Sequence, residues 1–166
     1  MILAIDVHYS NTSATAGGVL FNDWPDANPS KVFTCQLENV ACYEAGNFYK
    51  RELPCILALI DRYALNVKWI VIDGYVYLGS DSKPGLGMYL FEALDGQTSI
   101  VGVAKNYFRG TSAQHIIIRG RSTKPLYVTS TEGLETAKKN IMKMHGEFRI
   151  PTLLKQVDQL CRAGYL

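Results

Sequence analysis

The order in which hydrophobic periodicity changes along this chain constrains its fold more than any other feature. Three strand-like runs come first, at residues 2–9, 18–22 and 31–37. Their β-branched and aromatic content and short spacing predict an antiparallel meander. Between the second and third runs lies Asn22-Asp23-Trp24-Pro25-Asp26-Ala27-Asn28-Pro29, a string of turn formers. The period then switches. From Arg51 to Tyr63 the apolar residues Leu53, Ile56, Leu57, Leu59 and Ile60 recur at helical intervals. Pro54 falls in the first turn, where its missing N–H costs nothing. Lys68 to Asp73 reads as a buried strand by its β-branched content, halted by Gly74.

Beyond it, a loop from Gly79 to Gly85 leads into a helix-compatible segment near residues 85–94. Further strands are expected at 99–104, 115–119 and 125–129, and helices at 133–145 and 152–163, joined through Gly146 to Pro151. Three hairpin strands, a helix and a parallel fourth strand make the ribonuclease H-like order. The expected fold is therefore α/β, a mixed sheet of three antiparallel strands and then parallel ones, with helices on its faces.

At 166 residues, 48% of them hydrophobic, the chain has apolar material for one packed core, so a single domain over 1–166 is expected. With 19% charged residues the composition excludes a disordered class. No apolar run approaches the ~20 residues of a membrane helix. The chain opens directly into Met1-Ile2-Leu3-Ala4-Ile5-Asp6 without the basic region of a secretory signal, so a cytoplasmic protein, by default monomeric, is expected. Cys35, Cys42, Cys55 and Cys161 form no CxxC pair and no zinc spacing, and read as reduced thiols, several of them buried. Charge is unevenly spread: residues 1–101 hold 6 Lys/Arg against 11 Asp/Glu, and residues 102–166 hold 11 against 4. That asymmetry suits a first half that holds cations and a second half that faces phosphates; a mixed solvated surface is the plainer alternative.

Asp6 and Asp73 each end an apolar strand that would otherwise be core, and Glu52 opens the first helix. In the expected fold the first and fourth strands are neighbours and this helix packs across them, so three carboxylates converge. Convergent carboxylates repel unless a hard cation lies between them, which points to Mg²⁺ or Mn²⁺ and to phosphodiester chemistry. Each acid also has a plain reading: Asp73-Gly74 as a turn, Glu52 as favourable charge at a helix start, Asp6 as a strand-end cap. Arg109, Arg119, Arg121 and Lys124 surround Tyr107, Phe108 and Tyr127. They read either as a nucleic-acid groove with base stacking or as a charged sheet edge that deters strand pairing.

Read together, eight segments resemble endonuclease V, the deoxyinosine- and inosine-directed nuclease family, in order and over nearly the whole chain. They are Asp6-Val7-His8-Tyr9, Arg51-Glu52-Leu53-Pro54, Ile70-Val71-Ile72-Asp73-Gly74, Val101-Gly102-Val103-Ala104-Lys105, Lys124-Pro125-Leu126-Tyr127-Val128, Leu134-Glu135-Thr136-Ala137, and Phe148-Arg149-Ile150-Pro151 with Val157-Asp158. The resemblance implies that Asp6, Glu52 and Asp73 bind the metal and act catalytically. It implies that Lys105 offsets charge at the scissile phosphate, and that Tyr9, Tyr43, Gly46, Gly74, Gly102 and Lys124 contribute to substrate binding. The implied partner is DNA or RNA, the implied activity endonucleolytic, with deaminated purines as possible targets.

The chain departs from the family in three places. The wedge segment around Tyr43 and Gly46 has no proline, a His-Pro-Arg segment after Gly74 is replaced around Leu78 to Lys83, and no histidine follows the Tyr127-Val128 strand. At the last position Glu132 substitutes as a ligand or the ligand is missing. The competing function is a diverged nucleic-acid-binding protein with little or no catalysis.

Overall fold

A computed structural model describes all residues except Ala41, Tyr43, Gly46, Tyr165 and Leu166. The three expected hairpin strands are β1 (Ile2–Ser10), β2 (Ser13–Phe21) and β3 (Lys31–Leu37). β2 begins five residues earlier than its apolar run suggests, because the small Ala14, Ala16 and Gly17 pair with β1 as well as branched residues do. Helix α1 (Phe48–Arg62), strand β4 (Trp69–Asp73), helix α2 (Leu86–Ala93) and strand β7 (Ser99–Ala104) follow. Between β4 and α2 the chain forms a short hairpin, β5 (Tyr77–Leu78) with β6 (Lys83–Pro84), where the sequence suggested only a loop. The strand expected at 115–119 shrinks to β8 (Ile116–Ile117), since Arg119 turns inward and ends the pairing. β9 (Leu126–Ser130), α3 (Leu134–Lys143) and α4 (Thr152–Ala163) complete the chain.

The seven-stranded sheet runs β3-β2-β1-β4-β7-β9-β8. β1, β2 and β3 are antiparallel, β4 and β7 lie parallel to β1, and β9 turns back antiparallel to β7. This is the ribonuclease H-like mixed sheet. Alternation along β1 sends Leu3, Ile5 and Val7 to one face, where they pack with Cys55, Ile56 and Leu59 of α1 and Leu90 of α2. Ile2 and Ala4 go to the other face, with Val71, Val101 and Val103, under Ala137 and Ile141 of α3 and Leu153 and Val157 of α4. α4 lies close enough to β2 that a Cβ at Gly17 would stand 3.2 Å from the Cys161 Cβ. Among the described residues no helix is long and apolar enough to cross a membrane. Cys35, Cys55 and Cys161 are buried free thiols and Cys42 is exposed.

Candidate active site

Register alone brings two of the acids together. β1 and β4 run parallel with Ile5 opposite Ile72, so the next residues, Asp6 and Asp73, emerge side by side at the strand ends. Two residues beyond Ala4, Val71 and Val103, the side chains of Asp6, Asp73 and Lys105 continue the face that α4 covers. Glu52 arrives from the opposite face, in the first turns of α1, and meets them at this end of the sheet. Asp6, Glu52 and Asp73 border one cavity of about 270 Å³ together with His8, Tyr9, Gly74, Asp158 and Arg162.

Sequence alone gives Asp158 no role. It projects from α4, accepts a hydrogen bond from Arg162 Nε at 2.9 Å, and brings a fourth carboxylate to the cavity. A signal was present: Val157-Asp158 is one of the family-like segments, and Asp158 adjoins the buried stripe Leu153, Val157 and Cys161. Glu132 is not that carboxylate. β9 runs antiparallel to β7 with Ser130 opposite Val101, so the chain leaves the site before Glu132, which is exposed beyond the far end of the strand.

Electrostatics mark the cavity as a place of unbalanced charge. Glu52 is buried and its Oε2 has no hydrogen-bond partner. Burial first, then the charges of Asp6 and Asp73, push its carboxyl up to about 9. Burial, and after it Asp73, raise Asp6 to about 6, although the Val7 N–H donates to its Oδ1 at 2.9 Å. Lys105 Nζ donates to Asp73 Oδ2 at 3.1 Å. Burial pulls the lysine down, but the charge and hydrogen bond of Asp73 outweigh it and the net shift is upward. Tyr9 stacks under the Arg51 guanidinium, 3.6 Å from ring centroid to Cζ, and burial ahead of the Glu52 charge raises its phenol.

The remaining expected residues divide. Gly74 has φ +123°, a conformation that favours glycine, and lines the site. Gly102 is buried. A Cβ there would stand 2.5 Å from the Gly74 carbonyl, so it supports the Gly74 turn from beneath and does not reach a substrate. Lys124 is exposed two residues before β9, outside the residues that border the cavity. Tyr43 and Gly46 lie outside the described residues.

Arg119 is not a phosphate ligand. Only 4% exposed, it donates through Nη1 and Nη2 to the carbonyls of Phe148, Arg149, Met144 and Gly146. Arg149, also unassigned by sequence, donates through Nε to the Pro125 carbonyl at 3.2 Å and through Nη2 to the Lys105 carbonyl. It thereby holds the ends of β7 and β9 where their ladder stops.

The four acids border a common space without closing into a cage: among the described residues no group of three or more His, Cys, Asp or Glu side chains is already gathered tightly enough to hold an ion. The donor chemistry nevertheless fits a hard divalent cation. All four ligand candidates are carboxylates, and one buried oxygen, Glu52 Oε2, lacks any partner. Beside Asp73 and Lys105 opens a second, larger cavity of about 510 Å³, walled by Phe48, Tyr49, Tyr75, Tyr89 and Phe108.

No family model and no curated protein matches the chain. Solved structures do. Human ENDOV superposes with a TM-score of 0.78 at 23% identity, covering 98% of this chain and 82% of its own. Endonuclease V of Ciona intestinalis, solved with a 24mer DNA containing an inosine followed by a ribo-adenosine, gives 0.78 at 18% identity, covering 98% and 84%. Endonuclease V of Streptomyces avermitilis gives 0.72 at 26% identity, covering 98% and 79%. The resemblance to endonuclease V read from eight sequence segments therefore holds in three dimensions over nearly the whole chain.

Proposed function

We propose that this protein is a divalent-cation-dependent endonuclease that hydrolyses phosphodiester bonds in DNA or RNA. The observation that carries the proposal is the convergence of Asp6, Glu52, Asp73 and Asp158 on one cavity beside Lys105, in a fold shared with endonuclease V structures. The carboxylates would hold Mg²⁺ or Mn²⁺, which supplies activation of water and charge stabilisation at the phosphate.

Hydrolysis forms a bond from a water oxygen to phosphorus and breaks one ester P–O bond, whose oxygen leaves with a proton. Lys105 Nζ, kept protonated and anchored by Asp73, offsets the negative charge that grows on the phosphoryl oxygens. Arg149 fixes the lysine's backbone, so the ammonium is presented without reorganisation. Gly74, supported by Gly102, lets the backbone approach the substrate with no side chain in the way. The Ciona protein is solved with inosine-containing DNA, which makes a deaminated purine the first base to test here.

The test is cleavage of labelled single- and double-stranded oligonucleotides, with and without inosine, in Mg²⁺ or Mn²⁺. Metal-dependent cutting abolished by Asp6→Ala and Asp73→Ala is the expected result. Cutting that survives both substitutions defeats the assignment. One observation favours a second reading, a nucleic-acid binder without turnover: the family-like pattern is broken after the Tyr127-Val128 strand, where no histidine follows. Salt-sensitive binding with no cutting in any metal identifies that protein.

A further inference from the structure

Past Lys105 the chain builds an aromatic surface that the hydrolytic site does not use. Four rings run in sequence of contact: Phe108 to Tyr75 at 6.0 Å, Tyr75 to Tyr127 at 6.5 Å, and Tyr127 to Tyr107 at 5.9 Å. The middle of this chain is sheltered, with Tyr127 only 8% exposed, while its ends open to solvent, Tyr107 at 60% and Phe108 at 42%. Large apolar rings left this open need a reason, and these are held open by design of the backbone. The Tyr75 hydroxyl accepts from the Phe108 N–H at 3.1 Å and donates to the Asn106 carbonyl at 2.7 Å. The Tyr107 hydroxyl accepts from the Gly110 N–H at 3.1 Å, and Thr111 Oγ1 donates to the Phe108 carbonyl at 2.6 Å. The loop is thus fixed before any partner arrives.

We propose that Tyr107 and Phe108 form a stacking platform for single-stranded nucleic acid, receiving bases next to Lys105 and the carboxylate cavity. The inference rests on the nuclease reading and narrows its substrate class. Two features choose this partner. Cations interleave the rings: Arg109 is exposed directly after Phe108, and Lys83 and Lys105 border the cavity that Phe108 also walls. The core of a protein–protein interface is depleted of charge, whereas a strand of phosphates requires positive charge. Bases inside a duplex present edges and are stacked on one another, so outward-facing rings serve only bases that are unpaired.

The experiment measures binding of the full chain to a labelled oligothymidine of about 20 nucleotides and to a blunt duplex, by fluorescence anisotropy in EDTA. Folding of every variant is checked by thermal melting. Tyr107→Ala is expected to weaken single-strand binding about tenfold while leaving the duplex within about twofold. Tyr107→Phe keeps the ring but loses the Gly110 anchor, and is expected to stay close to the native affinity, as is Tyr107→Trp. Single-strand affinity unchanged in Tyr107→Ala overturns the proposal. So does a Phe variant as weak as the Ala variant, which assigns the effect to the loop anchor, or an equal loss on the duplex. Because EDTA separates binding from cutting, the two readings fail separately. A chain that never cuts but binds through Tyr107 loses only the nuclease reading; one that cuts normally and ignores Tyr107→Ala loses only the platform.

Discussion

Glu52 and Arg119 are equally buried, each 4% exposed, yet the protein treats the two ionisable groups in opposite ways. Arg119 leaves Nε without a partner but spends its Nη groups on four main-chain carbonyls, and so staples the joint between α3 and α4 to the end of β8. Glu52 has one oxygen with no partner and stands among other carboxylates. A buried charge matched by fixed dipoles belongs to the architecture. A buried carboxyl left unmatched either takes up a proton or costs stability, and a bound cation would supply the missing partner. The comparison separates two kinds of polar burial that look alike in sequence.

The largest effects test the unmatched side. Asp6→Asn and Asp73→Asn should each lower metal-dependent cleavage about a thousandfold or more, because each removes charge from the place where a cation and phosphate meet. Asp6→Asn should not destabilise the metal-free fold, since it relieves repulsion with Asp73 and Glu52. Asp73→Asn, which also gives up the half-exposed ion pair to Lys105, should cost no more than about 1 kcal/mol. A melting temperature that falls along with activity would put these acids in the same class as Arg119 and break the comparison.

Arg119→Met is the reciprocal experiment. Methionine keeps the apolar stem but strands the carbonyls of Met144, Gly146, Phe148 and Arg149, so unfolding by urea should show a loss of about 3 kcal/mol. Single-strand binding by the protein that remains folded should keep its native salt dependence. A shallower salt slope would return Arg119 to the phosphate contacts.

The pH dependence of the metal-free protein follows from the raised carboxyls. Both Asp6 and Glu52 hold protons more tightly when folded, at about 6 and about 9, than in the unfolded chain. Across the window from the unfolded value, about 4, up to those folded values, the native state binds more protons, so its stability falls as pH rises. Thermal melts in EDTA should therefore decline from mildly acid to mildly alkaline buffer, and Glu52→Gln should flatten the upper part of that decline. Divalent cation should raise the melting temperature most at the alkaline end. An unchanged slope in the Gln variant would mean that Glu52 is not the group responsible.

How much of this was legible depends on distance along the chain. The strand-helix order, the parallel β1–β4 pair and hence the meeting of Asp6 with Asp73 follow from periodicity, because register within a sheet leaves two residues at matching strand ends no freedom. Glu52 is legible for the same reason, one helix start away. Asp158 was visible only as part of a motif: which strand end α4 crosses is set by packing of Val157 and Cys161 against β1 and β2, a long-range event. Glu132 stays an open alternative in sequence because proximity to β9 says nothing of which end of an antiparallel strand faces the site. Arg119 misled because an arginine in a basic run looks exposed until the carbonyls that bury it are placed. The hairpin of β5 and β6 escaped notice because two-residue strands carry no period.

Arg149 offers the smallest and sharpest test, since it lies between the two classes. Like Arg119 it satisfies main-chain carbonyls, but one of them belongs to Lys105, and the next residue, Ile150, lines the narrow crevice shared by Asp6, Asp73 and Lys105. If its work is to position that lysine, Arg149→Lys should lower kcat about tenfold with little change in KM, because the ammonium is needed most as charge grows on the phosphate. Lysine cannot reproduce a planar fork that spans two carbonyls, yet it keeps the charge, so the loss is geometric. A purely architectural role predicts the reverse pattern: a lower melting temperature with kcat per folded molecule intact. A rise in KM with unchanged kcat would instead make Arg149 a direct contact to the bound strand, and would move it out of the architecture altogether.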